Sequence, residues 1–206
     1  PCARKYHNQE IVLDFGHGGQ DAGACAAEVC EKNIVKSIGL KLARLLTAQG
    51  YTVHLTRPDD QYMGLDARTY FANMATDASL FISLHANHAN NHQVAGIETY
   101  FLHHNLLTPV GSAVSSQSKQ LTAANARLAA LTHASLMQGV TDFGIVDRKV
   151  KQSVSQVLLG VEMPAILIEL GFISNPQERQ LLNASHYQDL LARSILKGIK
   201  TYWGHF

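Results

Sequence analysis

Cysteine and proline are scarce in this chain, and glycine is no more than ordinary. Three cysteines in 206 residues are too few for a disulfide scaffold, and 15 glycines with 5 prolines exclude a collagen-like or low-complexity protein. Cys25 and Cys30 are close enough in sequence to pair, leaving Cys2 over, but three free or buried thiols are the simpler expectation. An excess of one charge is missing as well. Lys and Arg number 17 against 16 Asp and Glu, and no segment concentrates five basic residues. Electrostatic capture of nucleic acid therefore has little to act through, and no nucleic-acid partner is expected. No apolar run approaches the roughly 18 residues that cross a bilayer. The longest, Ala165 to Leu170, is interrupted by Glu169, so no transmembrane segment is expected in this chain. What is present is a 46% hydrophobic share, ordinary for a folded chain, at a length that suits one domain of roughly 150 residues or somewhat more. The chain starts at Pro1 rather than Met, which implies an upstream segment removed by processing or by design and is compatible with a lost export signal.

Apolar periodicity alternates between two and 3.6 residues along the chain. Ile11-Val-Leu reads as a buried strand that opens into a Gly-rich loop at Gly16. From Asn33, the stripe Ile34, Ile38, Leu42 and Leu45 predicts an amphipathic helix that Gly50 stops. A strand over Tyr51 to Thr56, a short helix over Leu65 to Met74 and a strand over Leu80 to Leu84 follow. Further strands are predicted over Gly96 to Leu102, Val157 to Leu159 and Ala165 to Leu170, with helices over Thr122 to Met137 and Tyr187 to Tyr202. Such alternation predicts a single α/β domain with a mostly parallel or mixed central sheet and helices on both faces.

In sheets of this kind ligands gather where strands give way to loops. Three predicted strands end on ionisable groups there: His17, His85 and Glu169. Glu169 follows the apolar run Ala165-Ile-Leu-Ile, where a carboxylate is costly to bury unless it meets a cation, a proton or several donors. Two histidines and a carboxylate form the ligand set of many catalytic zinc sites, which leaves a second carboxylate to serve as base. Glu31, opening the first helix, fits the missing ligand, and Glu28 is its rival. Structural readings stand beside these. His17 would bond loop backbone, His85 would be a satisfied core histidine, and Glu169 would pair with an arginine such as Arg68. His88 and His92 read as solvated loop residues, His103 and His104 as exposed.

The order and wording of the motifs carry more than their spacing. Leu13-Asp-Phe-Gly-His-Gly-Gly, Asp21-Ala-Gly, Glu31-Lys, Thr56-Arg, Leu65 with Arg68, Phe81-Ile-Ser-Leu-His-Ala-Asn, Gly96-Ile-Glu-Thr-Tyr and Pro164-Ala-Ile-Leu-Ile-Glu-Leu-Gly-Phe-Ile-Ser-Asn-Pro occur in one order. Together they closely resemble the zinc-dependent N-acetylmuramoyl-L-alanine amidases of bacterial cell walls, of the type 3 catalytic domain, from about Ile11 to Tyr202. The resemblance implies a catalytic domain over residues 11–206 behind an N-terminal extension of residues 1–10. It further implies His17, Glu31 and His85 as zinc ligands, Glu169 as the catalytic carboxylate, Zn2+ as cofactor and peptidoglycan as substrate. Hydrolysis of the bond between N-acetylmuramic acid and L-alanine would take place in the periplasm or cell envelope, by an exported and monomeric protein. A zinc carboxypeptidase or endopeptidase acting on the stem peptide is the alternative, and a non-catalytic wall-binding module is a second. Two departures stand out: the family usually has Pro at Phe15 and Gly at Lys149, the latter in a loop expected to flank the substrate peptide. Some relatives carry a long insertion after the strand matching Gly96 to Leu102, which occludes the zinc until an activator displaces it. Here His103 to Leu121 is short, broken by Pro109 and Gly111 and free of acidic residues, so no activator is expected to be required.

Overall fold

Alternation along the first strand, β1 (Glu10–Phe15), sends Ile11, Leu13 and Phe15 to one face of a sheet and Val12 to the other. The structure, a computed structural model, describes residues 9–75, 78–107 and 115–204. A hairpin of β2 (Cys25–Ala26) and β3 (Val29–Cys30) leads into α1 (Glu31–Ala48). Then come β4 (Thr52–Leu55), α2 (Leu65–Met74), β5 (Ala78–Asn87) and β6 (Ile97–Phe101). After α3 (Ser116–Gly139) follow β7 (Asp147–Gln152), β8 (Ala165–Phe172), α4 (Pro176–Leu182) and α5 (Ser185–Tyr202). The six-stranded sheet has the order β4-β1-β5-β8-β6-β7, parallel throughout except where β6 runs against β8. It is the mixed α/β architecture that the periodicity predicts.

Helices α1, α3 and α5 bury their apolar stripes on the face that carries Ile11, Leu13, Ile82, Ile166 and Ile168. The opposite face, with Val12, Phe81 and Leu167, is covered by α2 and by a short 3-10 turn. That turn, Gln156–Leu158, stands where a strand was expected over Val157 to Leu159. Three apolar residues do not distinguish a strand from a turn. Val157 and Leu158 are buried because they plug the gap beside Ala72, not because they pair. β7 escaped the sequence reading because Asp-Arg-Lys-Val-Lys-Gln has one apolar residue; it is an edge strand, where lysines are common. α3 begins six residues earlier than its apolar stripe, since Ser115 caps it by accepting from Ser118 N at 3.1 Å.

Phe15 is accommodated by a matched absence on α1. A Cβ added to Gly39 would lie 2.0 Å from Phe15 Cε1. Gly39→Ala should therefore lose about 1–3 kcal/mol through overpacking despite better helix propensity, lowering the melting temperature by several degrees. Thermal denaturation checks this, and Phe15→Leu in the same chain should recover part of the loss.

Candidate metal centre and its neighbouring carboxylate

β1 delivers its loop directly against β5. Gly16 N donates to Leu84 O at 3.0 Å, and no side chain fits at Gly16, whose Cβ would lie 2.3 Å from His85 Cε1. The next residue, His17, takes a left-handed backbone (φ 61°), a strained conformation that the surroundings hold in place. Buried Arg68 on α2 donates to His17 O (2.7 Å) and Phe15 O (2.6 Å), while buried Arg57 donates to Phe15 O and Gly16 O, both at 2.8 Å. Arg68 also forms a buried pair with Asp14 (2.6 Å), whose other oxygen accepts from Ser83 Oγ at 2.7 Å. The pairing of Arg68 with Glu169 considered from sequence is thus incorrect. Strand alternation puts Asp14 on the α2 face, and the guanidinium meets that carboxylate instead.

Glu31 opens α1 directly after the β2–β3 hairpin. Cys25 and Cys30 are joined by a disulfide across that hairpin, which corrects the expectation of free thiols; Cys2 lies outside the described residues. The tip residues Ala27 and Glu28 have φ of 45° and 67°, as a tight two-residue hairpin turn requires, and Glu28 is exposed there. Glu31 is buried in the opposite direction. Its Oε2 accepts from Ala24 N and lies 3.0 Å from His17 Nε2, and its Oε1 accepts from Ala86 N and lies 2.8 Å from His85 Nδ1. Asp21 Oδ2 holds the other ring nitrogen of His17 at 2.8 Å. Burial opposes ionisation of Glu31, but the hydrogen bonds of His17 and His85 outweigh it and keep the carboxyl well below its ordinary value.

Ligand atoms of His17, Glu31 and His85 all lie within 4.8 Å of one another, a set that could hold a metal ion. The donors fit zinc chemistry: two imidazoles and one carboxylate, with an acidic partner on the back of one imidazole. Glu169 is the register partner of His85 on β8. Its Oε2 is buried with no hydrogen-bond partner among the described residues. Burial first, then repulsion from Glu31 and Glu98, push this carboxyl up to about 7, against the pull of His85 and His17.

Of the remaining histidines, His88 and His92 are exposed, as read from sequence. His103 and His104 are half-buried rather than exposed, and the His104 ring meets Thr122 Oγ1 at 2.9 Å. Residues 108–114, which include Pro109 and Gly111, lie outside the described residues. Sequence reasoning passed over Asp21, Asp14 and Glu98. Asp21 sits four residues after His17, a spacing within reach of its ring once the loop turns back.

Fold and cluster together define a class: an α/β domain with a His-Glu-His cluster at the strand ends, fit for a metal ion and flanked by a carboxyl with one buried oxygen that no described residue satisfies. The chain belongs to the N-acetylmuramoyl-L-alanine amidase family (Amidase_3), whose profile matches residues 11–201. It is 31% identical over 196 residues to the "Probable cell wall amidase LytH" of Staphylococcus epidermidis, covering 94% of this chain and 58% of that protein. The chain thus spans a little over half of that relative's length. Among solved structures, the amidase AmiC2 of Nostoc punctiforme matches with a TM-score of 0.81 at 28% identity, covering 95% of this chain and 97% of the other. An N-acetylmuramoyl-L-alanine amidase from Clostridium difficile 630 matches with 0.79 at 31% identity, covering 95% and 96%.

Proposed function

We propose that this chain hydrolyses the amide between the lactyl group of N-acetylmuramic acid and the L-alanine of the peptidoglycan stem, as a zinc-dependent enzyme. His17, Glu31 and His85 would hold the zinc, with Asp21 fixing the His17 ring. Zinc, when bound, supplies the positive charge that acidifies water and polarises the scissile carbonyl. Glu169 handles the protons. It accepts one from the attacking water as the C–O bond forms, and gives it to the alanine nitrogen as the C–N bond breaks, leaving a lactyl carboxylate and a free amine. The observation that carries this reading is Glu169, whose Oε2 is buried with no hydrogen-bond partner among the described residues and which is register-paired with His85. A purely structural carboxylate in that position would be expected to have donors.

This activity belongs outside the cytoplasmic membrane, in the periplasm or cell envelope, where the Cys25–Cys30 disulfide persists. The protein acts as a monomer and needs no activator for basal activity. The decisive experiment is mass spectrometry of purified muropeptides after incubation with the protein, with and without a chelator. Cleavage within the stem peptide, or cleavage that survives metal removal, would overturn the proposal. His85→Ala should lose both metal and activity, because two remaining ligands do not hold zinc in its four-coordinate geometry. Elemental analysis of the purified variant checks that outcome.

A further inference from the structure

Beyond Glu169, on the side away from the histidines, the sheet continues through Glu98 of β6 to the edge strand β7. Glu98 is the direct cross-strand partner of Glu169, so the two carboxylates share a face. Glu98 is buried and already satisfied: Asn87 Nδ2 donates to its Oε1 at 3.0 Å, Arg148 Nε lies 3.3 Å from the same oxygen, and Lys151 Nζ pairs with Oε2. Glu98 thus meets two cations.

Arg148 is held on every side but one. Its guanidinium lies over the Phe172 ring, 5.0 Å from the centroid, and its stem fills the space over Gly96, where a Cβ would lie 2.7 Å from Arg148 Cγ. The floor beneath it is fixed as well, because the buried Glu178 carboxylate accepts from both Gly96 N and Phe172 N at 2.7 Å. β7 turns the arginine to this face through a bulge. Ile97 pairs with Asp147 and Thr99 with Val150, so Arg148 and Lys149 together oppose Glu98. Lys149 keeps the left-handed backbone that the bulge needs (φ 73°), its N–H donating to Asp147 Oδ1 at 2.8 Å. Asp147 is anchored in turn by His133 Nε2 at 2.8 Å. On the open side, Nη1 and Nη2 of Arg148 donate no hydrogen bond to any described residue, and the side chain is 32% exposed. A rigid, cationic, planar fork with both terminal nitrogens free is the geometry that receives a carboxylate through two parallel hydrogen bonds.

We infer that Arg148 determines specificity by receiving a carboxylate of the stem peptide on its free Nη1–Nη2 edge. The inference rests on the amidase reading. The guanidinium reaches back over Phe172, which lies three residues along β8 from Glu169, so the fork lies on the order of 10 Å from Glu169, the span of about three extended residues. Two stem carboxylates lie within that reach of the scissile bond. One is the free α-carboxylate of a γ-linked glutamate at the second position; the other is the side-chain carboxylate of a diaminopimelate at the third.

The test is steady-state kinetics of the zinc-loaded protein, wild type, Arg148→Gln and Arg148→Lys, on synthetic N-acetylmuramoyl peptides. One substrate carries both carboxylates, a second has the α-carboxylate at position two amidated, and a third has lysine in place of diaminopimelate. Arg148→Gln is expected to raise KM roughly 10–100-fold on the first substrate with kcat held within a few-fold, as loss of a charge-assisted pair does. Arg148→Lys should fall between, keeping the charge without the fork. Whichever modified substrate removes the recognised carboxylate should show the same raised KM with wild type and no further change with Arg148→Gln. A variant that lowers kcat equally on all three substrates with KM unchanged would overturn the inference, as would a wild type indifferent to both modifications. If Arg148→Gln does not fold, the Lys variant and the wild-type comparison across substrates decide. A wild type that cleaves none of the three fails the amidase reading itself, and the inference falls with it; cleavage without discrimination fails the inference alone.

Discussion

Glu169→Gln is expected to lower turnover by at least about 100-fold while making the metal-free protein more stable at neutral and alkaline pH. The kinetic half follows from the proposed role of Glu169 as the group that carries the proton from water to the leaving nitrogen. The stability half follows from linkage. Glu169 has an ordinary carboxyl value of 4.5 that the fold pushes up to about 7, chiefly through burial. Because the folded value lies above the unfolded one, the contribution is fully present below pH 4.5 and is lost as pH rises through about 7. Above that window the wild type must hold a buried carboxylate with an oxygen that no described residue satisfies, whereas glutamine imitates the protonated acid at every pH. A displacement of this size corresponds to a difference on the order of 3 kcal/mol, opening between pH 4.5 and 7 and constant beyond. Urea denaturation of chelator-treated wild type and variant at pH 4 and pH 8 measures it. Equal stability at both pH values would mean that Glu169 is ionised at little cost. Metal loading should shrink the gap, since a nearby cation stabilises the wild-type carboxylate. On the proposed function, activity would be obtained at a site that is costly to fold, the usual relation between catalysis and stability.

The residues that face the chemistry were legible in the sequence to the extent that they broke a pattern. His17, His85 and Glu169 each end or interrupt an apolar strand run, so their exposure to a common edge follows from strand polarity and period alone. Glu31 could not be told from Glu28 by spacing, because the difference is made by a two-residue hairpin turn that points one carboxylate out and the other in. The Asp14–Arg68 pair was misassigned although half of it was readable. Asp14 alternates with Leu13 and Phe15 and so had to lie on the face opposite the main core, where α2 places Arg68. β7 and the Glu98–Arg148 contact were not readable at all. A strand made largely of charged residues carries no apolar period, and its Arg148 and Lys151 meet a buried carboxylate on the neighbouring strand, β6. Asn175-Pro176 before Glu178, by contrast, is a helix start in plain view. Asn175 Oδ1 accepts from the N–H groups of Gln177 and Glu178, and α4 could have been predicted from it.

Arg68→Met is expected to destabilise the fold by about 3–5 kcal/mol, a large part of the 5–15 kcal/mol that typically separates a domain from its unfolded state. Arg68 is 2% exposed and Asp14 is fully buried, so removing the guanidinium leaves a carboxylate with, among the described residues, only the hydroxyls of Thr56 and Ser83 as side-chain donors. It also strips donors from the carbonyls of Phe15, His17 and Met63. The Phe15 carbonyl keeps Arg57, but no other hydrogen bond to the His17 carbonyl is seen among the described residues, and that carbonyl belongs to the strained backbone that presents the imidazole. Loss of metal affinity, roughly 10-fold, should therefore accompany loss of stability, because partners that orient a ligand act on affinity without touching the ion. A second substitution separates the two effects. Asp14→Asn in the Arg68→Met background removes the buried charge, so stability should recover in part, while the His17 carbonyl remains unanchored and metal affinity stays low. Denaturation midpoints and competitive metal titration of the single and double variants read these outcomes independently. Recovery of both together would mean that the Asp14–Arg68 pair acts on the centre only through global stability, and no loss of stability in the single variant would show that the pair is not what holds this strand end in place.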